Sequence, residues 1–265
     1  MSVDAGNKRR RFSSLRSRIG LVVVLAVIPG FVISIIAVND ERNSSKDEAQ
    51  RAAVTIAGST AARYQSLLRE SQSLLQVLRN IPSTVYDEEA CSTVLKTVIE
   101  DSATYENMFI LNADGQVVCG RDEDRGQPPI RADWFETALT QDTFVVAETE
   151  PGESPSYPLM ITAYGVGEGT DRYVLASEFS LEPLGDVIGN SFPEGATVTM
   201  LDRDDVVMYR GPGPSEFIGK SIRNTDIVQK LRDRGGEGVI TARGTDDVQR
   251  LYAYRTLTQP DGAAI

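Results

Sequence analysis

The 265-residue sequence contains no histidine, and this absence excludes several kinds of chemistry. Without an imidazole there is no Ser–His–Asp or Cys–His nucleophilic pair, no histidine-rich zinc site and no phosphoacceptor histidine. Catalysis would have to use carboxylates, lysines or hydroxyls, and no pair of acids in the sequence indicates two facing carboxylates in a cleft. We therefore expect no enzyme active site, no cofactor and no bound metal within these residues.

Basic charge is also scarce, and it is unevenly placed. The chain has 27 Lys+Arg against 38 Asp+Glu, a formal charge of −11. Such a chain lacks the basic face that phosphate binding needs, so we expect no nucleic-acid partner. Residues 1–38 carry six basic side chains and one acid, a charge of +5, so residues 39–265 carry −16. A basic N-terminal tail thus precedes a strongly acidic body.

Between these two parts lies a long apolar run, Ile19–Val38, with no charged residue. As a helix it would extend about 30 Å, one hydrocarbon thickness. It exceeds the apolar core of about 7–15 residues that a cleaved signal peptide carries, and no small-x-small cleavage site follows it. The run predicts a retained transmembrane helix over 19–38, with a cleaved export signal as the alternative. Because Lys and Arg near a span stay in the cytoplasm, residues 1–18 are predicted to be a cytoplasmic tail and residues 39–265 to face outward.

Cysteine is nearly absent, with only Cys91 and Cys119 in the chain. Their separation does not match the spacing of metal ligands, and two cysteines in an oxidising compartment are most simply a disulfide. Two free buried thiols are the alternative.

A long helix is predicted over residues 39–82. Ser45 and Glu48 form a capping box, and Ile81–Pro82 ends the helix. Apolar and small residues recur along it in alternating steps of three and four. This stripe either packs on the protein's own sheet or forms a parallel homodimer stalk, with dimer contact favoured near the membrane and packing near Leu75–Leu78. The stripe consists of Val54, Ala57, Ala61, Tyr64, Leu68, Ser71, Leu75 and Leu78.

The second half of the chain repeats the first. Residues 110–119 resemble residues 200–209 at an offset of 90, and each reads as a strand, a polar turn and a second strand. Ala163-Tyr164 matches Ala253-Tyr254 at the same offset. The sequence therefore predicts an α+β fold with two related modules of antiparallel strands, 83–184 and 185–265.

The repeat also predicts what the second module lacks. The apolar strand at 173–181 maps to 263–271, of which the sequence contains only 263–265. We therefore expect the second module to lack all but the start of its last strand, and the chain to be the front part of a longer polypeptide. The acidic runs at 121–124 and 202–205 lack the alternating ligands and glycine of a calcium loop. We expect them to be solvated hairpin tips.

An N-terminal anchor, a long outward helix and two successive modules resemble the double Cache extracytoplasmic sensor domain of bacterial signalling proteins. The resemblance implies two tandem PAS-like modules: a membrane-distal one that binds a small ligand and a membrane-proximal one that relays the signal. It also implies a bacterial inner-membrane protein with residues 39–265 in the periplasm or outside the cell. Members of this family are joined to histidine kinase, diguanylate cyclase or phosphodiesterase, or chemoreceptor outputs. The segments that carry the resemblance are 105–115, 131–138, 174–184 and 217–222.

A mixed aromatic and polar pocket suits a small ligand, because ring faces supply area and a few charged groups fix orientation. Amino-acid sensors of this family have an arginine two residues before the tryptophan, where this chain has Ala132; Arg131 lies one residue too early. Glu178 lies where such sensors place the carboxylate that binds the ligand ammonium. A carboxylate, an amine or a polyol therefore remains open as the ligand. The predicted ligand-binding residues are Trp134, Phe135, Arg131, Asp133, Tyr105, Tyr157, Tyr164 and Glu178.

The alternative function is a membrane-anchored interaction or dimerisation protein without a small ligand. A dry, collapsed pocket would favour this alternative, whereas a ligand-dependent rise in melting temperature would favour the sensor.

Overall fold

The computed structural model describes the backbone of residues 15–81, 87–102, 104–141, 143–148, 159–167, 171–181, 195–212 and 215–258, with side chains from residue 44 onward except that of Asp122. The chain divides into two compact units, Met1–Arg51 and Ala52–Ile265. The sheets, core and site described below belong to the second unit.

Helix α1 spans Leu15–Leu78 and contains most of the predicted long helix. The apolar run at 19–38 is helical within it, but the side chains of that run lie outside the described residues. Within the described part of the chain, no helix has both the length and the apolar character needed to cross a membrane. The transmembrane segment therefore stays a prediction.

The segment predicted as the first module contains a five-stranded antiparallel sheet. Its strands are β1 (Tyr105–Asn112), β2 (Val117–Cys119), β3 (Phe144–Glu148), β4 (Leu159–Val166) and β5 (Tyr173–Ser180). Their order across the sheet is β2-β1-β5-β4-β3. Helix α2 (Glu88–Glu100) precedes the sheet in sequence and begins at Asp87, whose side chain accepts a hydrogen bond from the amide of Ala90. Helix α3 (Asp133–Thr140) lies between β2 and β3 in sequence.

Both faces of this sheet are buried, which explains why β1, β4 and β5 read as nearly continuous apolar runs. One face, here called the α1 face, packs on α1 and α2 through side chains such as Met108, Ile110 and Leu175. The opposite face, here called the α3 face, packs on α3 through the alternate residues of the same strands. The buried members of the α3-face core are Phe109, Leu111, Trp134, Phe135, Ala138, Ile161, Ala163, Val174 and Ala176.

The predicted internal repeat is visible in the turn geometry. The Oδ1 of Asn112 accepts hydrogen bonds from the amides two and four residues on, at 3.0 and 3.0 Å. The Oδ1 of Asp202, 90 positions later, accepts the equivalent bonds at 2.8 and 2.7 Å. Both side chains thus form the same turn between two paired strands. The matched tyrosines also agree, because Tyr164 and Tyr254 each pair with the preceding strand of their module.

The segment predicted as the second module contains β6 (Val198–Leu201), β7 (Val207–Gly211), α4 (Asp226–Arg234), β8 (Glu237–Arg243) and β9 (Gln249–Arg255). The described strands form two separate two-stranded sheets, β6–β7 and β8–β9. The last strand was expected from residue 263 onward, and the boundary between the modules was expected at 184/185. Both lie outside the described residues.

The acidic run of the second module is not fully solvated as predicted. Asp205 is only 7% exposed and adopts a positive φ of 60°. Its carboxylate pairs with Arg223 at 3.1 Å and with Arg232 on α4. The run therefore ties the β6–β7 turn to α4, which a solvated tip would not do.

The apolar stripe of α1 packs on the protein's own body from Ala61 onward. Ala61, Tyr64, Leu68, Ser71, Leu75 and Leu78 are all buried, whereas Val54 is 49% exposed. Of the two predicted uses of the stripe, packing on the sheet is the one that the structure contains over residues 61–78.

A junction core joins α1 to both modules. Tyr64, Leu67 and Leu68 supply the helix side. The first module contributes Met160, Phe179 and Leu181, and the second contributes Met200, Met208 and Tyr209. Helix α1 therefore packs against both modules at one continuous core.

The structure contains the expected disulfide between Cys91 on α2 and Cys119 on β2, with the two Cα atoms 6.2 Å apart. Both cysteines are buried. The bond fastens α2 to the edge of the sheet.

Replacing both cysteines by alanine removes a crosslink that closes a loop of 28 residues. In the chain-entropy model this should lower the free energy of unfolding by about 3–4 kcal/mol, measured by denaturant titration. Reduced wild-type protein is the control and should lose a similar amount. Labelling of both cysteines by a thiol reagent in denatured, unreduced protein would contradict the bond.

Gly165 on β4 should not tolerate a side chain, because a Cβ there would collide with the carbonyl oxygen of Ala138 on α3. We expect Gly165→Ala to destabilise the fold by about 1–3 kcal/mol. Gly58→Ala is the matched control, since the nearest atom to its added Cβ is 3.8 Å away. That change should stabilise α1 by up to about 1 kcal/mol. Equal effects of the two substitutions would refute close packing of α3 on β4.

Candidate functional site

Two close backbone contacts hold α3 and its preceding loop against the sheet. The amide of Ile130 donates to the carbonyl of Gly115 at 2.8 Å, and Gly115 has a positive φ of 78°. A side chain at Gly115 would collide with Ile130, as one at Gly165 would with Ala138. The helix is therefore anchored at the β1–β2 turn at its start and on β4 near its end.

This anchoring buries the aromatic pair that the sequence predicted. Trp134 is 8% exposed and Phe135 is fully buried. Their rings are edge-on, with centroids 6.3 Å apart and planes at 86°. Both belong to the α3-face core, so they form the apolar wall of this face.

Arg131 and Asp133 lie beside the aromatic pair, at the start of α3, and both are exposed. Neither forms an ion pair with another described residue. They lie at the rim of the α3 face rather than beneath the helix.

A polar group of residues lies further along the same face. Glu178 on β5 pairs in register with Asn107 on β1 and with Ile161 on β4. Asn107 is 8% exposed; its Nδ2 donates to the Oδ2 of Asp124 at 3.1 Å, and its Oδ1 accepts from the amide of Met108 at 2.9 Å. Two carboxylates and one amide are thereby gathered on the face that carries Trp134.

Asp124 was expected at a solvated tip, and the structure places it against the sheet instead. Its 3-10 turn, Asp122–Asp124, is followed by Arg125, which pairs with Glu88 at 2.9 Å and donates to Ser92 at 2.8 Å on α2. These contacts span 33 to 37 positions of sequence, so no local pattern could have indicated them.

Two predicted site residues lie on the opposite face of the sheet. The register of β1 shifts between Tyr105 and Asn107, and the ring of Tyr105 packs in the cores of the α1 face. Its hydroxyl lies next to Ser71 on α1. Tyr164 packs against Phe144 with centroids 6.2 Å apart and lies under the guanidinium of Arg79 at 4.4 Å. The sheet separates both tyrosines from Trp134.

The predicted site is therefore divided. The structure brings Trp134, Phe135 and Glu178 to the α3 face, with Arg131 and Asp133 at its rim. Tyr105 and Tyr164 are not brought together with them, and Tyr157 lies outside the described residues. Within the described ranges, no group of three or more acidic or cysteine side chains is arranged to hold a metal ion.

Burial raises the pKa of the Tyr105 phenol, the hydrogen bond with Ser71 lowers it, and the nearby charge of Glu70 raises it. The net direction is upward, so the neutral phenol is the form that the fold favours.

No protein-family model and no curated protein matches the sequence. Solved structures do match the fold. Methyl-accepting chemotaxis protein X has a TM-score of 0.64 at 14% identity, covering 83% of this chain and 96% of that chain. The extracellular domain of a predicted histidine kinase, rpHK1S-Z16, has a TM-score of 0.62 at 17% identity, covering 82% and 91%. The sensory domain of the Campylobacter jejuni chemoreceptor Tlp3 with isoleucine bound has a TM-score of 0.58 at 16% identity, covering 79% and 88%.

The chain thus has the fold of the extracellular sensory domains of histidine kinases and chemoreceptors, with mixed α+β architecture and antiparallel sheets. The predicted resemblance to the double Cache domain is confirmed at the level of fold.

The raised pKa of Tyr105 predicts a loss of stability in alkali. Its contribution is fully present below the pKa of an unfolded tyrosine, about 10, and is lost as the pH rises through the higher folded value. The free energy of unfolding should be measured between about pH 8 and pH 12. Tyr105→Phe has no phenol to ionise and should show a shallower alkaline decline. An identical decline in both proteins would contradict the assignment.

Proposed function

We propose that the chain is the extracytoplasmic, small-ligand sensing input module of a membrane-bound signalling protein. The observation that carries this proposal is the extent of the fold similarity, which covers 79–83% of this chain and 88–96% of three sensory domains. A match of that extent leaves out about a fifth of the chain, which is shorter than α1 or either predicted module, so it includes at least part of each. The parent chain would continue into a histidine kinase, a diguanylate cyclase or phosphodiesterase, or a chemoreceptor output.

We propose the α3 face as the ligand site and an amine-bearing small molecule as its ligand. Asp124 and Glu178 would accept hydrogen bonds from an ammonium group, and charge-assisted bonds of this kind are stronger than neutral ones. The ring of Trp134, backed by Phe135, would supply apolar contact area. Structures of Tlp3 contain isoleucine, L-valine or L-norvaline, which all carry an ammonium group. Arg131 and Asp133 at the rim would meet a second polar group of the ligand.

We also propose that residues 19–38 anchor the chain in the bacterial inner membrane, with residues 1–18 in the cytoplasm. The support is the uncharged run, the +5 charge before it and the −16 charge after it. A homodimer would use the membrane-proximal part of the α1 stripe, where Val54 is exposed. The remainder of the stripe packs on the protein's own body, so the dimer contact proposed here is shorter than a full stalk.

Ligand binding should raise the melting temperature of the full chain in detergent. A ligand at 100 times its Kd adds about 2.7 kcal/mol, which corresponds to a rise of about 5–10 °C for a domain of this size. The screen should contain L-amino acids, simple amines and carboxylic acids. L-Isoleucine and 3-methylpentanoic acid form an informative pair, because the second lacks the amine.

Glu178→Gln and Asp124→Asn should each weaken binding of an amine hit by about tenfold or more. Glu89→Gln is the matched control, since Glu89 is an exposed acid on α2. A ligand that binds both site variants as tightly as the wild type would disprove the site. A screen without any hit would favour the alternative function of a membrane-anchored interaction or dimerisation protein.

A further inference from the structure

Three buried hydroxyl groups meet where α1 crosses the sheet. The Oγ of Ser71 lies 2.5 Å from the Oγ1 of Thr162 on β4 and 3.1 Å from the Oγ of Ser177 on β5. Thr162 and Ser177 are themselves 2.7 Å apart. All three residues are at most 1% exposed. We call this group the hydroxyl triangle.

The hydroxyl triangle is closed to water and internally satisfied. Each hydroxyl has one donor and two acceptor sites, so three hydroxyls can donate around the ring. The phenol of Tyr105 lies next to Ser71. All three hydroxyls of the triangle therefore have partners, as a buried polar group requires.

On both sides of the hydroxyl triangle, α1 packs on the sheet through apolar side chains. Leu68 precedes Ser71 and Leu75 follows it, each about one helical turn away, and both are fully buried. A purely apolar stripe of this spacing would tolerate a slide of α1 by one turn, about 5.4 Å. After such a slide a leucine would face Thr162 and Ser177, and their hydroxyls would lose the helix partner. Each unpaired buried hydroxyl should disfavour that register by about tenfold.

The hydroxyl triangle lies on the α1 face of the sheet, directly opposite the proposed site on the α3 face. Side chains alternate between the two faces of a strand, so Ser177 points to the α1 face where its neighbour Glu178 points to the α3 face. Thr162 is likewise next to Ile161, which belongs to the α3-face core. The strands that hold α1 are thus the strands that carry the site.

We propose that the hydroxyl triangle is a register lock: it holds α1 in one axial position on β4 and β5, and a change at the α3 face acts on α1 through it. The inference rests on the proposed function only in naming the α3 face as the input. Stability alone does not explain the triangle, because replacing all partners of a buried hydrogen-bond group by apolar groups of similar shape is often nearly neutral.

The first test measures the axial position of α1 in the full chain. Spin labels on cysteines introduced at Val77 of α1 and Asp114 of the β1–β2 turn, both exposed, report the helix-to-sheet distance by pulsed electron paramagnetic resonance. The test variant makes the whole group apolar: Ser71→Ala, Thr162→Val, Ser177→Ala and Tyr105→Phe together. Ser73→Ala, an exposed serine on the same helix, is the matched control.

The wild type and the control should give one narrow distance. The all-apolar variant should keep its melting temperature within a few degrees and gain a second distance, displaced by up to about 5 Å. A single unchanged distance in that variant overturns the lock. If that variant does not fold, Ser71→Ala alone decides, because it removes the helix hydroxyl from every register. Ser71→Ala should also give the second distance, and an unchanged single distance overturns the lock.

The second test asks whether a change at the α3 face alters the axial position of α1 through the hydroxyl triangle. Glu178→Gln should produce the second distance when the triangle is intact and should add no further change in the Ser71→Ala background. An unaltered distance with the triangle intact overturns this part of the proposal. Neither test uses a ligand, so its failure is distinguishable from a failed ligand screen.

Discussion

The packing of one helix against two modules is the constraint on which the rest of this structure depends. From Ala61 to Leu78, α1 buries every residue of its stripe. The lower part of this stretch contributes to the junction core, and the upper part covers the five-stranded sheet. Since α1 covers one face of that sheet, the opposite face is the one left to α3 and to the proposed ligand. The sheet is thus both part of the core and the layer that separates α1 from the proposed site.

Close backbone contacts determine how the α3 face is covered. Gly115 and Gly165 let α3 and its preceding loop lie directly on the strands, and Trp134 and Phe135 fill the space beneath. The disulfide and the Arg125–Glu88 pair hold the 3-10 turn that presents Asp124. The aromatic wall is therefore set by local packing, whereas the acidic side depends on contacts between distant segments.

Local patterns in the sequence predicted much of this fold. The long helix, the paired hairpins and the repeat at an offset of 90 all follow from periodicity and turn chemistry, and the Asn112 and Asp202 turns agree in atomic detail. Side-chain direction was harder to predict. Because both faces of β4 are buried, its apolar run does not indicate which face Tyr164 occupies. The register shift in β1 likewise breaks the twofold alternation that would place Tyr105. Asp124 reaches Asn107 only through tertiary contacts, which no spacing in the sequence encodes.

The junction core is rich in methionine, which affects how easily its side chains can repack. Three of the chain's five methionines, Met160, Met200 and Met208, meet there. Methionine is unbranched and has three rotatable bonds, so it fills irregular gaps and adapts when its neighbours move. β-Branched side chains in the same place would fix one arrangement more rigidly. The two predicted modules therefore meet on α1 through side chains that can repack when their neighbours move.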